Sequence, residues 1–280
     1  MTANGWHCGL EQPILDWFRE HAVTHTAEPS FKISRGRLSV DRGLFGFSKT
    51  RLGDDPDRLL VEFCIHLGMP PQLLEQYQQA LNQIGYVGFG FECDGEEKRY
   101  KAYLDYSAQV AAATKRPISA NDSEIQFLGF KWNVSGSGRP VMTEYRAFPL
   151  LPRRGMLRRG LELLGTLSPA KAVLESAFAA CARDWPGRPL EYMEAREPGN
   201  PRVSFDIKFY STSLNLSGIR AELQNLGDRL DIGAPLHDLL EANANSRLGH
   251  LAGGLDRSGT PFLMVYHGVK RNITPRPADG

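Results

Sequence analysis

Two segments of the chain each carry a lysine followed two residues later by a tyrosine, and this spacing could do chemistry. Lys101 precedes Tyr103 and Lys208 precedes Tyr210, both within alternating stretches that predict β-strands. Alternate residues of a strand share a face, so each pair presents a cation and a phenol to the same side. Lysine supplies charge to phosphate oxygens, and tyrosine can donate hydrogen bonds to them. The spacing therefore indicates a site for an anionic ligand.

Further cations and tyrosines share these faces. Arg99 lies on the face of Lys101, and Tyr145 and Tyr266 have matching positions in two other predicted hairpins. A solvated polar face on an open sheet is the alternative interpretation, and it would suffice for one strand taken alone. Recurrence in several hairpins favours a lumen lined by these side chains, because buried cations need partners. Tyrosine rings in such a lumen can also shield a carbocation by cation–π attraction.

These strands belong to a pattern of a helix followed by a β-hairpin, which recurs about every 50 residues along the chain. Turn signals such as Asp94-Gly95 separate the two strands of each hairpin. The predicted helices cover residues 11–21, 57–67, 71–84, 108–114, 156–183, 219–226 and 235–244. The predicted strands cover residues 28–34, 38–49, 86–93, 99–106, 125–134, 141–148, 190–196, 203–212, 249–255 and 262–268.

The five units predict an α+β fold with a ten-stranded antiparallel β-barrel and helices outside it. Ten meandering strands with free edges would be prone to aggregation, and closure into a barrel removes the edges. A barrel of this size is wider than the eight-stranded kind that side chains can fill, so the lumen should hold a ligand. We expect one domain over residues 1–280, with an ordered core at about 10–270 and a frayed tail from Arg271.

Composition excludes several classes of function. The net charge is +1, which argues against a nucleic-acid surface or an anionic membrane, and no apolar run is long enough to cross a bilayer. The four cysteines lie far apart without a CxxC pair, so we expect neither a zinc site nor a disulfide framework. The histidines, including His250 and His267, lack HxH or HExxH spacing, and we predict no protein-held metal. A cytoplasmic monomer is expected.

Four stretches together resemble the ABBA, or PT-barrel, aromatic prenyltransferases, and within them most of all the cyanobactin peptide prenyltransferases. The stretches are Glu28–Phe47, Tyr86–Tyr106, Phe127–Phe148 and Leu248–Lys270. The resemblance implies transfer of an isoprenyl group from an allylic diphosphate, dimethylallyl or geranyl, to a nucleophilic side chain of a peptide. Mg²⁺ bound with the diphosphate would assist its departure. The chain lacks a DDxxD motif, as the barrel enzymes do.

The resemblance also implies roles for individual residues. Glu28 lies at the general-base position of the family. Arg42, Lys101 and Lys208 match diphosphate-binding positions, and Arg99 is an extra luminal cation that we assign to the same group. The tyrosine shield corresponds to Tyr103, Tyr145, Tyr210 and Tyr266. Met264 and Asp206 depart from the pattern, as an apolar residue and an extra luminal charge.

Donor length and acceptor stay open at this stage. We predict that Phe47, Phe89, Phe127 and Trp132 are gates of the donor pocket, because the size of one or two wall residues sets the length of chain that fits. The acceptor side chain is not identified. A prenyltransferase of small aromatic molecules and a non-catalytic barrel that binds an anion are the alternatives to a peptide prenyltransferase.

Overall fold

The computed structural model describes residues 6–272, and in that span no helix is long and apolar enough to cross a lipid bilayer. Its helices are α1 (Glu11–Glu20), α2 (Pro56–His66), α3 (Pro71–Ala80), α4 (Ser107–Ala113), α5 (Arg153–Leu163), α6 (Ser168–Asp184), α7 (Arg220–Arg229) and α8 (Gly233–Ala242). Its strands are β1 (His25–Ser34), β2 (Arg37–Ser39), β3 (Arg42–Ser48), β4 (Tyr86–Asp94), β5 (Glu97–Asp105), β6 (Glu124–Asn133), β7 (Val141–Ala147), β8 (Glu191–Arg196), β9 (Val203–Lys208), β10 (Leu248–Leu255), β11 (Pro261–His267) and β12 (Lys270–Asn272).

Ten of these strands form a closed antiparallel barrel. Neighbours pair in the order β11-β10-β9-β8-β7-β6-β5-β4-β3-β1, and β1 also pairs with β11, with Ser30 opposite Tyr266 and Lys32 opposite Met264. Each strand of the ring therefore has a partner on both sides, which satisfies the backbone groups that an open edge would expose. The predicted ten-stranded PT barrel with external helices is confirmed.

Turn chemistry sets the hairpins that build the ring. In the turn between β4 and β5, Gly95 has a φ of +66°, a conformation that a side chain disfavours. Asp94 pairs with Glu97 across this turn, so the register of the hairpin places Gly90 opposite Lys101 and Gly88 opposite Tyr103. The Asp-Gly signal thus decides which luminal side chains face each other.

Two apolar cores lie between the outer face of the barrel and the helices. One packs α1, α2 and α3 against the outer faces of β3 to β6, and the other packs α5 to α8 against β9 to β11. In the first, the ring of Trp17 stacks on Phe63 with centroids 4.5 Å apart. Burial of each large side chain contributes about 1.5–3 kcal/mol, so these cores hold the helices on the barrel and leave its inner face free.

The prediction that Phe47, Phe89 and Trp132 gate the donor pocket is wrong. Phe47 and Phe89 are fully buried beside Trp17, in the core under the helices. Trp132 donates its indole N–H to the carbonyl of Leu67 at the end of α2. Strand alternation points these apolar side chains outward, because their neighbours on each strand face the lumen.

Several strand boundaries differ from the predicted ones; β9, for instance, ends at Lys208 and not at residue 212. The predicted strand 38–49 is divided into β2 and β3, and His7 donates its backbone N–H to the Asp41 carboxylate in the gap. Arg271 was expected in a frayed tail, but it lies in β12 and pairs with Thr26 of β1. Residues 273–280 of that predicted tail lie outside the described residues.

Two of the cysteines contradict the expectation that the chain has no disulfide framework. Cys8 and Cys93 form a disulfide across 85 residues of sequence, whereas Cys64 and Cys181 are free and buried. Trp6 brings the two together, because its ring packs on Phe91, two residues from Cys93. Contact between segments so far apart in sequence leaves no spacing signal.

Replacement of Phe89 by alanine is expected to lower the free energy of unfolding by about 3–5 kcal/mol, since the side chain is fully buried between Trp17 and Phe63. Urea denaturation measures the change. Leu150→Ala is the control: that side chain is 48% exposed, so a change within about 0.5 kcal/mol is expected. A Phe89→Ala protein of unchanged stability would contradict the placement of Phe89 in the core.

Candidate active site

The lumen contains a cavity of about 480 Å³ toward the end where the β4–β5 turn lies. We call it the cationic cavity, because Arg42, Arg99, Lys101 and Lys131 line it. These residues come from β3, β5 and β6, neighbouring strands of the ring. Their register brings them together, since Arg99 lies opposite Glu92 and Lys101 lies opposite Lys131.

One buried carboxylate joins the four cations. Glu92 is 2% exposed, and its Oε2 accepts from Lys101 Nζ at 2.6 Å and from Arg42 Nη2 at 2.7 Å. Its Oε1 is bonded to Lys131 Nζ and lies 3.2 Å from Arg99 Nη1. Arg99 is also bonded to Glu97, so the four cations and two carboxylates leave an excess of two positive charges when all the cations are protonated. The cluster is therefore prepared for a multiply charged anion.

Burial and charge act in opposite directions on the pKa values in this cluster. Burial alone would raise the pKa of Glu92, but Lys101, Lys131 and Arg42 hold it well below its ordinary value. Burial lowers the pKa of Lys101 to about 7, although Glu92 opposes this change. Burial also lowers the pKa of Lys131. An additional anion in the cavity would favour the charged form of both lysines.

Arg42 has hydrogen-bonding capacity left over. Its Nε atom is buried and has no hydrogen-bond partner in the described part of the chain, while its Nη2 is held by Glu92. An unpaired buried N–H is costly, and a phosphate oxygen would satisfy it. Arg42, Arg99 and Lys101 thus lie together, as predicted for diphosphate-binding residues, and their ligand stays a prediction.

Sequence reasoning missed Lys131 and placed Lys208 with the wrong neighbours. Lys131 shares the luminal face of β6 with Gly129, and the register with Lys101 could have revealed it. Lys208 does not line the cationic cavity. Its Nζ is bonded to Glu191 Oε2 at 2.8 Å and lies 4.9 Å from the centroid of the Phe127 ring, at the end of β9 away from the cavity.

Three of the predicted shield residues form one wall of the lumen. Tyr103, Tyr145 and Tyr266 line the cationic cavity and also a second, smaller cavity of about 100 Å³. The rings of Tyr103 and Tyr145 meet edge to face with centroids 5.9 Å apart. Gly129 makes room for them, because a Cβ there would lie 3.0 Å from Tyr145 Cε2. Burial raises the pKa of all three phenols, that of Tyr145 to about 12, so they stay protonated.

We call the second cavity the aromatic cavity. It is lined by apolar groups, among them Leu44, Phe45, Phe127 and Met193. Of the four predicted gate residues, Phe127 alone faces the lumen. The two cavities share the tyrosine wall, so a ligand with an anionic head and an apolar tail could occupy both.

A chain of hydrogen bonds lies beside the aromatic cavity. Tyr210 follows the end of β9, and its hydroxyl donates to Glu28 Oε2 at 2.6 Å. The same hydroxyl lies 2.6 Å from His250 Nε2, and His250 Nδ1 lies 2.8 Å from Asp206 Oδ1. Asp206 and His250 line the aromatic cavity. We call this chain, Glu28–Tyr210–His250–Asp206, the carboxylate relay.

The carboxylate at the head of the relay is poised to take up a proton. Burial raises the pKa of Glu28, against the opposing influence of His250 and the hydrogen bond from Tyr210. Its Oε1 atom is buried and has no hydrogen-bond partner within residues 6–272. A carboxylate with one free oxygen and a raised pKa suits general-base chemistry. The predicted base and Tyr210 are therefore brought together, and the sequence had not linked His250 or Asp206 to them.

Pyrophosphate binding is expected to weaken as pH rises above the lowered pKa of Lys101, about 7. Below a pH of about 7 the side chain of Lys101 is already charged, so binding requires no further proton. Above it the protein must take up a proton on binding, so the affinity should fall by up to about tenfold per pH unit. Calorimetric titration with pyrophosphate tests this, with Lys98→Ala on the exposed side of β5 as control. An equally steep decline in Lys101→Met would assign the effect to another group.

Gly249→Ala is expected to disturb Glu28, because the added Cβ would collide with Glu28 Oε1. We expect a loss of about 1–3 kcal/mol in the free energy of unfolding, measured by urea denaturation. Glu28→Ala in the same chain removes the collision, so the two changes should not be additive. Gly187→Ala is the control, since its Cβ would meet open space. Additive losses would mean that Gly249 does not hold the space for Glu28.

Solved structures share this fold. A 6-dimethylallyltryptophan synthase from Micromonospora olivasterospora, solved with DMASPP and Trp, is 13% identical with a TM-score of 0.54, over 86% of this chain and 81% of that one. The apo form of prenyltransferase PriB is 16% identical with a TM-score of 0.53, over 86% and 79%. No family model matches the sequence, and a comparison with curated proteins finds none similar to it. The chain therefore has the ABBA, or PT-barrel, fold of these prenyltransferases.

Proposed function

We propose that this protein is a prenyltransferase that moves an isoprenyl group from an allylic diphosphate to a nucleophilic side chain of a peptide. The observation that carries the proposal is the order of groups along the lumen. The four cations on Glu92 come first, then the tyrosine wall, then the carboxylate relay, which borders the aromatic cavity through His250 and Asp206 and ends at the buried Glu28. A leaving anion, an allylic cation and a departing proton need these three environments in this order.

The cationic cavity supports the choice of a diphosphate. The excess of two positive charges suits a diphosphate better than a single carboxylate or halide, and the unpaired Arg42 Nε offers a further donor. When the C–O bond of the donor breaks, its electron pair leaves with the diphosphate. Fixed cations stabilise that developing charge without reorganisation.

The tyrosine wall supports the choice of an allylic donor. The tail of the donor would lie past Tyr103, Tyr145 and Tyr266 in the aromatic cavity, beside Leu44 and Phe127. Aromatic faces attract a carbocation, and the apolar lining keeps water from capturing it. The nucleophile of the acceptor then forms the new C–C or C–heteroatom bond, and Glu28 accepts the proton that is lost.

The exposure of the lumen near Glu28 supports a peptide acceptor. Tyr210, which is bonded to Glu28, is 40% exposed, and Tyr86, which lines the aromatic cavity, is 38% exposed. An acceptor could therefore insert one side chain while its backbone stays outside. Transfer to a small aromatic compound is the alternative result of the test below. The proposal includes both dimethylallyl and geranyl donors.

Magnesium has no prepared ligand set in the described part of the chain. No group of three His, Cys, Asp or Glu side chains among residues 6–272 is arranged to hold a metal ion. Glu92, the carboxylate among the cations, is already bonded to four of them. The donor set fits an anion and not a resident metal. Mg²⁺ would accordingly enter with the diphosphate, and no step here depends on it.

The proposal is tested by mass spectrometry of peptide pools and small aromatic compounds incubated with C5 and C10 diphosphates. A gain of one or two isoprene units on a peptide side chain, with equal release of pyrophosphate, is the expected result. Glu28→Gln should lower transfer by about 10²–10⁴-fold and leave pyrophosphate affinity unchanged. Lys101→Ala should lower turnover by about 10²-fold or more.

The matched controls separate site effects from folding. Lys98→Ala, on the same strand as Lys101 but exposed, should keep full activity. Lys208→Ala should keep its affinity for pyrophosphate, because Lys208 lies outside the cationic cavity. Alkylation of small aromatics alone would favour the small-molecule enzyme. Pyrophosphate binding without turnover of any donor would favour an anion-binding barrel.

A further inference from the structure

We propose that Asp206 and His250 are positioning residues that act through Tyr210 to keep Glu28 ionised in its buried site. The inference rests on the proposed function, in which Glu28 is the general base. Neither residue has to touch the reacting atoms for this role. Their effect on Glu28 follows from the count of protons in the carboxylate relay.

Tyr210 has one proton and two close partners. Its oxygen lies 2.6 Å from Glu28 Oε2 and 2.6 Å from His250 Nε2. Both contacts are hydrogen bonds only if the hydroxyl donates to one partner and accepts from the other. If it donates to Glu28, then His250 Nε2 must carry a proton and donate to Tyr210. If it donates to His250, then Glu28 must carry a proton and donate to Tyr210.

The two arrangements contain the same number of protons. In the first, Glu28 is a carboxylate, and His250 is an imidazolium because its Nδ1–H also donates to the Asp206 carboxylate. In the second, both are neutral, and two protons have moved one place along the chain. Only the first leaves Glu28 able to take a proton from an acceptor. At this number of protons, the base is therefore active when His250 is charged and inactive when it is neutral.

Asp206 favours the active arrangement. Its Oδ1 lies 2.8 Å from His250 Nδ1, so a carboxylate stabilises the imidazolium directly. Burial alone would lower the pKa of His250, but Asp206 and Glu28 raise it. Several titratable and charged groups from neighbouring strands act on Glu28 and His250. They are Glu191 of β8, Asp206 and Lys208 of β9, Tyr210 in the turn after β9, and Tyr266 of β11. Glu28 of β1 and His250 of β10 also act on each other. Lys208 opposes the imidazolium, but it is paired with Glu191 at 2.8 Å.

The free oxygen of Glu28 completes the arrangement. Tyr210 occupies Oε2, whereas Oε1 has no hydrogen-bond partner in the described residues. In the proton transfer, the bond from the acceptor's heteroatom or carbon to its hydrogen breaks and an O–H bond forms at Oε1. The electron pair stays with the prenylated product. His250 stays charged throughout, so the buried site never holds Glu28 and Asp206 as two unbalanced carboxylates.

The proposal fixes the sign of the pH dependence. Activity rises as the relay loses the proton that would occupy Glu28, which predicts an acid limb in the profile of kcat for the wild type. His250→Gln removes the positive charge that lowers the pKa of Glu28, so the acid limb should move to higher pH. Asp206→Asn removes the anion that holds the imidazolium, and it also removes a smaller direct repulsion of the Glu28 carboxylate. The acid limb of Asp206→Asn should therefore move in the same direction by a smaller amount, and the losses in both variants should shrink as the pH rises.

Double-variant kinetics provides the first test. Tyr210→Phe and His250→Gln should each lower kcat by about 10-fold to 100-fold, with little change in the donor KM. Because both break the same chain, the double variant should be no slower than the worse single one. Multiplied losses, or variants that lower kcat equally at every pH, would overturn the proposal. His237→Gln, on the exposed face of α8, is the matched control and should leave the profile unchanged.

Nuclear magnetic resonance of the imidazole nitrogens provides a test that needs no substrate. At neutral pH both nitrogens of His250 should carry protons in the wild type, and Asp206→Asn should return the ring to the neutral form. His267 is the internal control, since burial lowers its pKa to about 4 and it should stay neutral in both proteins. A neutral His250 in the wild type would overturn the inference. If no donor is turned over but His250 is charged, the proposed function fails and the proton arrangement stands.

Discussion

The pairing of β1 with β11 is the interaction on which the rest of the structure depends. Ser30, Phe31, Lys32 and Ile33 pair with Tyr266 to Leu263 and close the ring of ten strands. Once the ring is closed, side chains that alternate along each strand must lie either under the helices or inside the lumen. The apolar set takes the outside, where it packs on α1–α3 and α5–α8. The polar side chains are confined to the lumen, where they must supply one another with hydrogen-bond partners and opposite charges.

This confinement explains why two luminal carboxylates have opposite properties. Glu92 is surrounded by four cations, so its pKa lies well below the ordinary value although burial acts against this. Glu28 is also buried, but its nearest partners are a phenol and an imidazole, and its pKa is raised. The same side chain thus serves as a permanent counterion at one place and as a candidate proton acceptor at the other. Environment alone separates the two roles.

The tyrosine wall connects these two environments. Tyr103, Tyr145 and Tyr266 border both cavities, and the ring of Tyr266 also lies 5.0 Å from that of His250. High phenol pKa values keep the wall uncharged, so it neither competes with the anion nor neutralises the cations. In the proposed reaction this neutrality matters, because a phenolate would itself capture an allylic cation.

Periodicity and turn chemistry by themselves determined the ten strands, the barrel and the polar, tyrosine-bearing inner face, since each depends on residues close in sequence. Tertiary structure alone decided which luminal residues meet. Lys131 lies beside Lys101, whereas Lys208 does not. The register of the strands and their positions around the ring set the distances between these lysines. The spacing of residues in the sequence predicts neither. The same holds for the disulfide of Cys8 with Cys93, for the outward Phe89, and for the relay that unites Glu28 with residues about 180 to 220 positions away. Such contacts form only when the ring closes and the hairpins from both ends of the chain become neighbours.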